Sequence, residues 1–171
     1  MKNTPSSSGS GQPQQAALEP RTRLFFEDVS VGMDVPPLVK KPTAVTLFMY
    51  GVSIWATHRI HYDKPHARSE GYKDIVVHGP LQAAWLAQML SKWTGDPGFV
   101  KKFSYSHRTL AYPGDTLTCQ GTVRAKRQQD GRNLVDCDLW IENQHGERPT
   151  IGQATLALPT RPNPGTSAVA T

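Results

Sequence analysis

Residues 79–94, GPLQAAWLAQMLSKWT, form the chain's one long run of small and apolar residues at helical spacing, and everything after Pro97 reads as strands. Gly79-Pro80 opens the run, and proline suits the first turn of a helix, where its missing N–H costs nothing. Leu81, Ala84, Trp85, Met89 and Leu90 fall on one side, and Thr94-Gly95-Asp96-Pro97 supplies the stop. The spacing then predicts strands over 99–110, 116–127, 134–142 and 151–158, separated by the turn signals Pro113-Gly114-Asp115, Asp130-Gly131 and His145-Gly146. A single buried helix followed by a meander of strands has few ways to hide its apolar faces. The expected class is α+β, a curved antiparallel sheet wrapped around one long helix.

The segment before that helix is less regular. Residues 25–31 lead into Gly32, and 33–39, carrying Pro36-Pro37, read as a short edge strand, because proline has no N–H to give a ladder. Thr43 can cap a helix on which Val45, Phe48, Met49, Val52 and Trp55 recur at helical spacing, ending near Thr57. Residues 58–77 are polar, contain Pro65 and Gly71, and read as a long loop, the kind of segment that commonly carries function. For Phe48, Trp55 and Trp85 the first expectation is ordinary core packing, with a role in setting pocket depth as the second.

Of the 171 residues, 24–159 are expected to make one domain. Residues 1–23 and 160–171 are rich in Ser, Gly, Pro and Thr and are expected to be disordered, since they offer too little apolar surface to offset ordering. The N-terminal segment has no apolar run of the secretory kind and no arginine before Arg21, so the expected location is cytoplasmic. No stretch approaches the roughly 20 apolar residues of a membrane span. Cys119 and Cys137 fall in strand-like segments and are expected to be buried, reduced thiols. The net charge of +5 is spread along the chain without a finger, basic helix or RNP-type motif, which argues against nucleic acid and leaves a phosphorylated small molecule as a reason for it.

Four of the six histidines, His58, His61, His66 and His78, lie between His58 and Pro80. Imidazole titrates nearest neutrality, and a helix start presents outward-facing N–H groups, so together they can form an acid/base and oxyanion pair. His66 reads as an exposed loop residue, His78 as a turn-fixing hydrogen bonder, and His107 as facing solvent or an interface. A metal site from His58, His61 and His78 lacks a cysteine or nearby carboxylate to complete it.

The strings RIHYD, VVHGPLQAAWLAQML and AYPGDTL, with seventeen residues from His61 to His78, resemble those of the MaoC-like acyl dehydratases, also called R-specific enoyl-CoA hydratases. Within that family the HRIHYD string is similar to the mesaconyl-CoA hydratase-like and type 2 hydroxyacyl-thioester dehydratase members. The resemblance covers most of 25–159 and implies a hotdog fold. It further implies addition or removal of water at an enoyl or 3-hydroxyacyl thioester of CoA or acyl carrier protein, with no metal or other cofactor. His61 matches the catalytic histidine, and Gly79 the helix-start glycine whose N–H polarises the thioester carbonyl. Five residues before the histidine the family carries Asp or Asn, whereas this chain has Ala56.

Three readings follow from that departure. His58 replaces the missing partner of His61, or Asp63 orients His61 from behind, with Ala56, Asp63 and His78 bordering the substrate. Alternatively the chain is a noncatalytic thioester-binding or partner subunit of a heteromeric dehydratase. In the third reading the fold serves another reaction, or thioester binding alone. Arg59, Lys64, Arg68 and Arg108 are candidates for CoA phosphates or a carrier protein's acidic surface. The expected assembly is a homodimer, or a heteromer with another hotdog chain.

Overall fold

The structure, a computed structural model, describes residues 23–96 and 98–162. The chain runs β1 (Asp34–Lys40), α1 (Ala44–Ser53), α2 (Lys64–Ser69), α3 (Gly79–Thr94), β2 (Phe99–His107), β3 (Leu117–Gln129), β4 (Arg132–Glu142) and β5 (Thr150–Leu158), with 3₁₀ turns at Phe26–Asp28 and Arg59–His61. The five strands form one antiparallel sheet in the order β1-β3-β4-β5-β2. Helix α3 packs against all five strands, so the expected α+β architecture of a sheet around a central helix is what the chain adopts.

Strand β3 places Leu117, Cys119 and Val123 inward at alternate positions, the period that pleating imposes. Opposite them, β4 and β5 contribute Val135, Cys137, Leu139, Ile141, Ala154 and Leu156, and the helix fills the trough with Leu86, Met89 and Leu90. Both thiols are free and buried, and burial pushes each up to about 12. The β3–β4 hairpin turns on Asp130 and Gly131, both at positive φ (49° and 69°), which is the backbone an Asp-Gly pair tolerates and a right-twisted hairpin needs. Pro36 and Pro37 fall where the β1–β3 register slips between Val35 and Leu38, on an edge strand, as their missing N–H groups require.

Four expectations change. Strand β2 stops at His107, three residues short of the predicted end. Ala84 faces out, and the buried side of α3 is carried by Leu81, Gln82, Ala83, Trp85, Leu86, Met89, Leu90 and Trp93. The span 58–77 is not all loop: Asp63 caps the short helix α2 by accepting from the His66 N–H (3.1 Å).

The largest change is in α1. Thr43 caps it as expected, its hydroxyl accepting from the Thr46 N–H (3.1 Å), but the helix ends at Ser53 and its apolar stripe faces solvent. Val45 is 70% exposed, Phe48 54% and Trp55 83%, whereas Leu47 and Gly51 face inward. Only Trp85 of the three flagged aromatics is core, at 7%. The predicted disordered segments lie almost wholly outside the described residues. Of the tail, Thr160 accepts a hydrogen bond from Asn133 (2.7 Å), and the Arg161 N–H donates to Glu27 (3.0 Å).

Candidate active site

The start of α3 is the focus of the site. Gly79 is the first residue of that helix, so its N–H has no carbonyl one turn earlier to bond, and it lies at the positive end of the helix dipole. His78, at the N-cap, is 2% exposed, and its ring stacks on His61 with centroids 3.7 Å apart and planes 19° apart. Tyr50 of α1 meets the His78 ring edge-on at 5.1 Å. The sixteen residues between them thus fold back to lay one imidazole on the other.

His61 is held by a hydrogen bond from Nδ1 to the Val76 carbonyl (2.8 Å). A carbonyl only accepts, so Nδ1 carries the proton and the neutral ring presents a bare Nε2, the atom a general base uses. Burial lowers the pKa of His61, and the nearby His58 lowers it further against the opposing pull of the Val76 bond, so the ring is neutral at pH 7. Burial likewise pushes His78 down to about 4, with His61 adding to the shift. Neither nitrogen of His78 has a hydrogen-bond partner among the described residues, so the expected turn-fixing bond is absent and stacking holds the ring.

The other candidates distribute unevenly. His58 is exposed, with its ring 6.0 Å from His61 and edge-on to it, near the site but not bonded to its partner. Asp63 does not orient His61: it pairs with Arg59 (2.6 Å) and caps α2, and these bonds, the Arg59 one foremost, hold its carboxyl below the usual range. The Val76 carbonyl does the orienting instead. Lys64 is taken by Asp74 (2.6 Å). His66 is half-buried on α2, near Glu70 (3.9 Å), rather than on an exposed loop. No cluster of three or more metal-ligating side chains forms among the described residues.

Ala56 borders an apolar groove of about 310 Å³ whose walls include Leu47, Gly51, Val52, Trp55 and His78. A methyl at Gly51 would lie 3.3 Å from the Ala56 carbonyl and 3.4 Å from His78 Nε2, which places Ala56 and His78 side by side at the groove's inner end. The exposed stripe of α1 therefore reaches the histidine pair through Val52 and Trp55.

The reading from residue types missed His107. Its Nε2 would lie 2.4 Å from a Cβ built on Gly79, so its ring covers the helix start. Its Nδ1 is 3.0 Å from Thr150 Oγ1. His107 is exposed, in keeping with the expectation that it faces solvent or an interface, but its contact with the helix start depends on how β2 registers against β5 and cannot be seen in local spacing.

A long helix enclosed by a five-stranded antiparallel sheet defines a hotdog protein. The (R)-hydratase from A. caviae involved in PHA biosynthesis superposes with a TM-score of 0.72 at 22% identity, covering 78% of this chain and 99% of that one. One chain of the ChsH1-ChsH2 complex from Mycobacterium tuberculosis superposes with a TM-score of 0.67, also at 22% identity, covering 75% of this chain and 98% of that one. At these identities the likeness is one of fold.

Residues 34–113 match the family model for hydroxyacyl-thioester dehydratase type 2. The chain is 42% identical over 99 residues to Mesaconyl-C(4)-CoA hydratase of Chloroflexus aurantiacus, which is 50% of this chain and 35% of that protein. It is 32% identical over 80 residues to the mitochondrial Hydroxyacyl-thioester dehydratase type 2 of Saccharomyces cerevisiae, 46% of this chain and 28% of that one. The matched stretch thus spans about a third of each of these relatives. Over 34–113 the chain is thus similar to the hydroxyacyl-thioester dehydratases of type 2, and its fold is that of the MaoC-like hydratases and dehydratases.

Proposed function

We propose that the chain is a hydro-lyase that adds water to an enoyl thioester, or removes it from a 3-hydroxyacyl thioester, with His61 as general acid/base and the Gly79 N–H as oxyanion donor. The observation that carries this reading is the Nδ1 bond from His61 to the Val76 carbonyl. It leaves Nε2 bare on a neutral ring stacked beside the residue that precedes Gly79. Water adding to the β-carbon gives its proton to His61 Nε2 while the π electrons move toward the thioester oxygen. The Gly79 N–H and the α3 dipole stabilise the charge that gathers there. The acyl part takes the groove that runs from His78 past Ala56 along α1, and the thioester comes from CoA or a carrier protein.

A second reading is favoured by two observations. Ala56 places no donor or acceptor where the family has Asp or Asn. Strand β2, beside the site, is an edge strand with almost every residue exposed, ready to pair with another sheet. In this reading the chain binds the thioester as one subunit of a heteromer and the other hotdog chain completes the chemistry, an arrangement that the two-chain ChsH1-ChsH2 structure makes reasonable.

Hydration of a panel of enoyl-CoA thioesters by wild type, His61→Ala, His58→Ala and Ala56→Asp separates the readings. Wild-type turnover that falls about 10²–10⁴-fold in His61→Ala, the usual worth of a positioned acid/base group, supports the hydro-lyase. A further loss in His58→Ala would make His58 the substitute partner. An inert wild type with activity gained by Ala56→Asp supports the partner-subunit reading, and inert proteins throughout overturn the first.

A further inference from the structure

His107 is fixed from behind by a chain of hydrogen bonds. It pairs across β2 and β5 with Thr150, its Nδ1 lies 3.0 Å from Thr150 Oγ1, and that hydroxyl donates to Gln82 Oε1 on α3 at 2.8 Å. Thr150 is fully buried and Gln82 nearly so. A hydroxyl has one proton, and with the Gln82 carbonyl facing Thr150 that proton is spent on the glutamine. Thr150 can then only accept from the ring, so His107 Nδ1 is the donor and the neutral ring carries its lone pair on Nε2. That nitrogen is the atom against Gly79. The residue is otherwise exposed, and Tyr105 and Phe103 continue an aromatic row along the same strand (5.3 and 5.6 Å between successive centroids).

Two imidazoles therefore flank one helix start. His61 approaches Gly79 through its stack on His78, and His107 approaches it from the β2 side with a tautomer fixed by buried groups. We propose that His107 is the second acid/base group of the site, supplying the proton transfer at the α-carbon that no side chain at position 56 can assist. This rests on the hydro-lyase reading. In hydration, His61 Nε2 takes a proton from water as the water oxygen bonds to the β-carbon, and the π pair becomes an enolate held at the Gly79 N–H. The enolate then collapses, its α-carbon taking the proton from Nε2 of protonated His107. His107 returns to the neutral form, and each ring re-equilibrates its proton with solvent. Dehydration is the reverse. The α-carbon is two bonds from a carbonyl oxygen held at the Gly79 N–H, which keeps it near the helix start that the His107 ring covers.

The test is hydration of crotonyl-CoA in D₂O by wild type, His107→Asn and His107→Gln, following both rate and the face on which the α-deuteron arrives. Asn keeps an amide N–H at the Nδ1 position to serve Thr150, and Gln keeps an amide near the Nε2 position, so neither leaves the network bare and the two guard against one failing to fold. The expected result is a fall in kcat of about 10²–10⁴-fold in both, with KM and melting temperature nearly unchanged. The residual product of the variants should carry deuterium on both α faces where wild type labels one, because bulk water then protonates the enolate. A kcat within about threefold of wild type, or a slowed reaction that still labels one face, overturns the assignment while leaving the hydro-lyase standing. A wild type that hydrates no thioester in the wider panel removes both.

Discussion

Helices α1 and α3 carry the same apolar period and meet opposite fates. In α3 the stripe lies under five strands, with Leu86 and Leu90 wholly buried. In α1 it points to solvent, and Leu47 and Gly51, which fall off the stripe, make the inward contacts. A helical period shows that a helix has an apolar face; it does not show what that face meets. Where no sheet covers such a face, a ligand or another chain is the natural partner. Here the uncovered stripe runs into the groove beside His78 and Ala56.

The contrast can be broken most sharply in the core. Leu86→Ala or Leu90→Ala should cost roughly 2–5 kcal/mol in urea unfolding, the range for truncating a buried leucine. A loss under 1 kcal/mol would mean that α3 is not the enclosed element.

Between the two helices lies His78, flanked by Gly51 of α1 and by His61. Its folded pKa, about 4, is depressed below the usual 6.5, so the folded protein resists its protonation while the unfolded chain does not. The stability this gives is present above the unfolded pKa and is lost as pH falls from about 6.5 toward 4, by up to about 3 kcal/mol. Urea midpoints across that window should fall steeply for wild type and less for His78→Leu; parallel curves would show that His78 is not sealed between the helices.

Smaller effects belong to α1. Thr43→Ala removes the hydroxyl that caps the helix and should cost about 1 kcal/mol. Phe48→Ser and Val52→Ser, on the exposed stripe, should each change the stability of the isolated chain by less than about 0.5 kcal/mol. The same two substitutions should raise KM for long-chain more than for short-chain thioesters. Stability losses like those of α3 would instead mean that the stripe is covered in solution.

How far the site was legible follows the same division. A histidine cluster and a Gly-Pro helix start are local patterns that residue type and position reveal, but it is the resemblance to the MaoC-like dehydratases that singles out His61 and Gly79. Asp63 was legible as a polar group near His61, but it turned to cap α2, since the N–H groups of a helix start and the Arg59 guanidinium were closer. The Val76 carbonyl, the Tyr50 edge and the His107–Thr150–Gln82 chain left no trace in spacing: a backbone acceptor has no sequence signature, and His107 meets Gly79 only through the pairing of β2 with β5.

The sequence by itself determined the elements: one enclosed helix, strands punctuated at Gly114, Asp130-Gly131 and Gly146, and an edge strand marked by its prolines. These depend on propensity, periodicity and φ, which act over a few residues. Only the tertiary structure decided which apolar stripe would be covered, which imidazoles would stack, and which acceptor would fix the tautomer of each. Those outcomes depend on contacts between residues far apart in the chain, and such contacts exist only once the sheet has closed around α3.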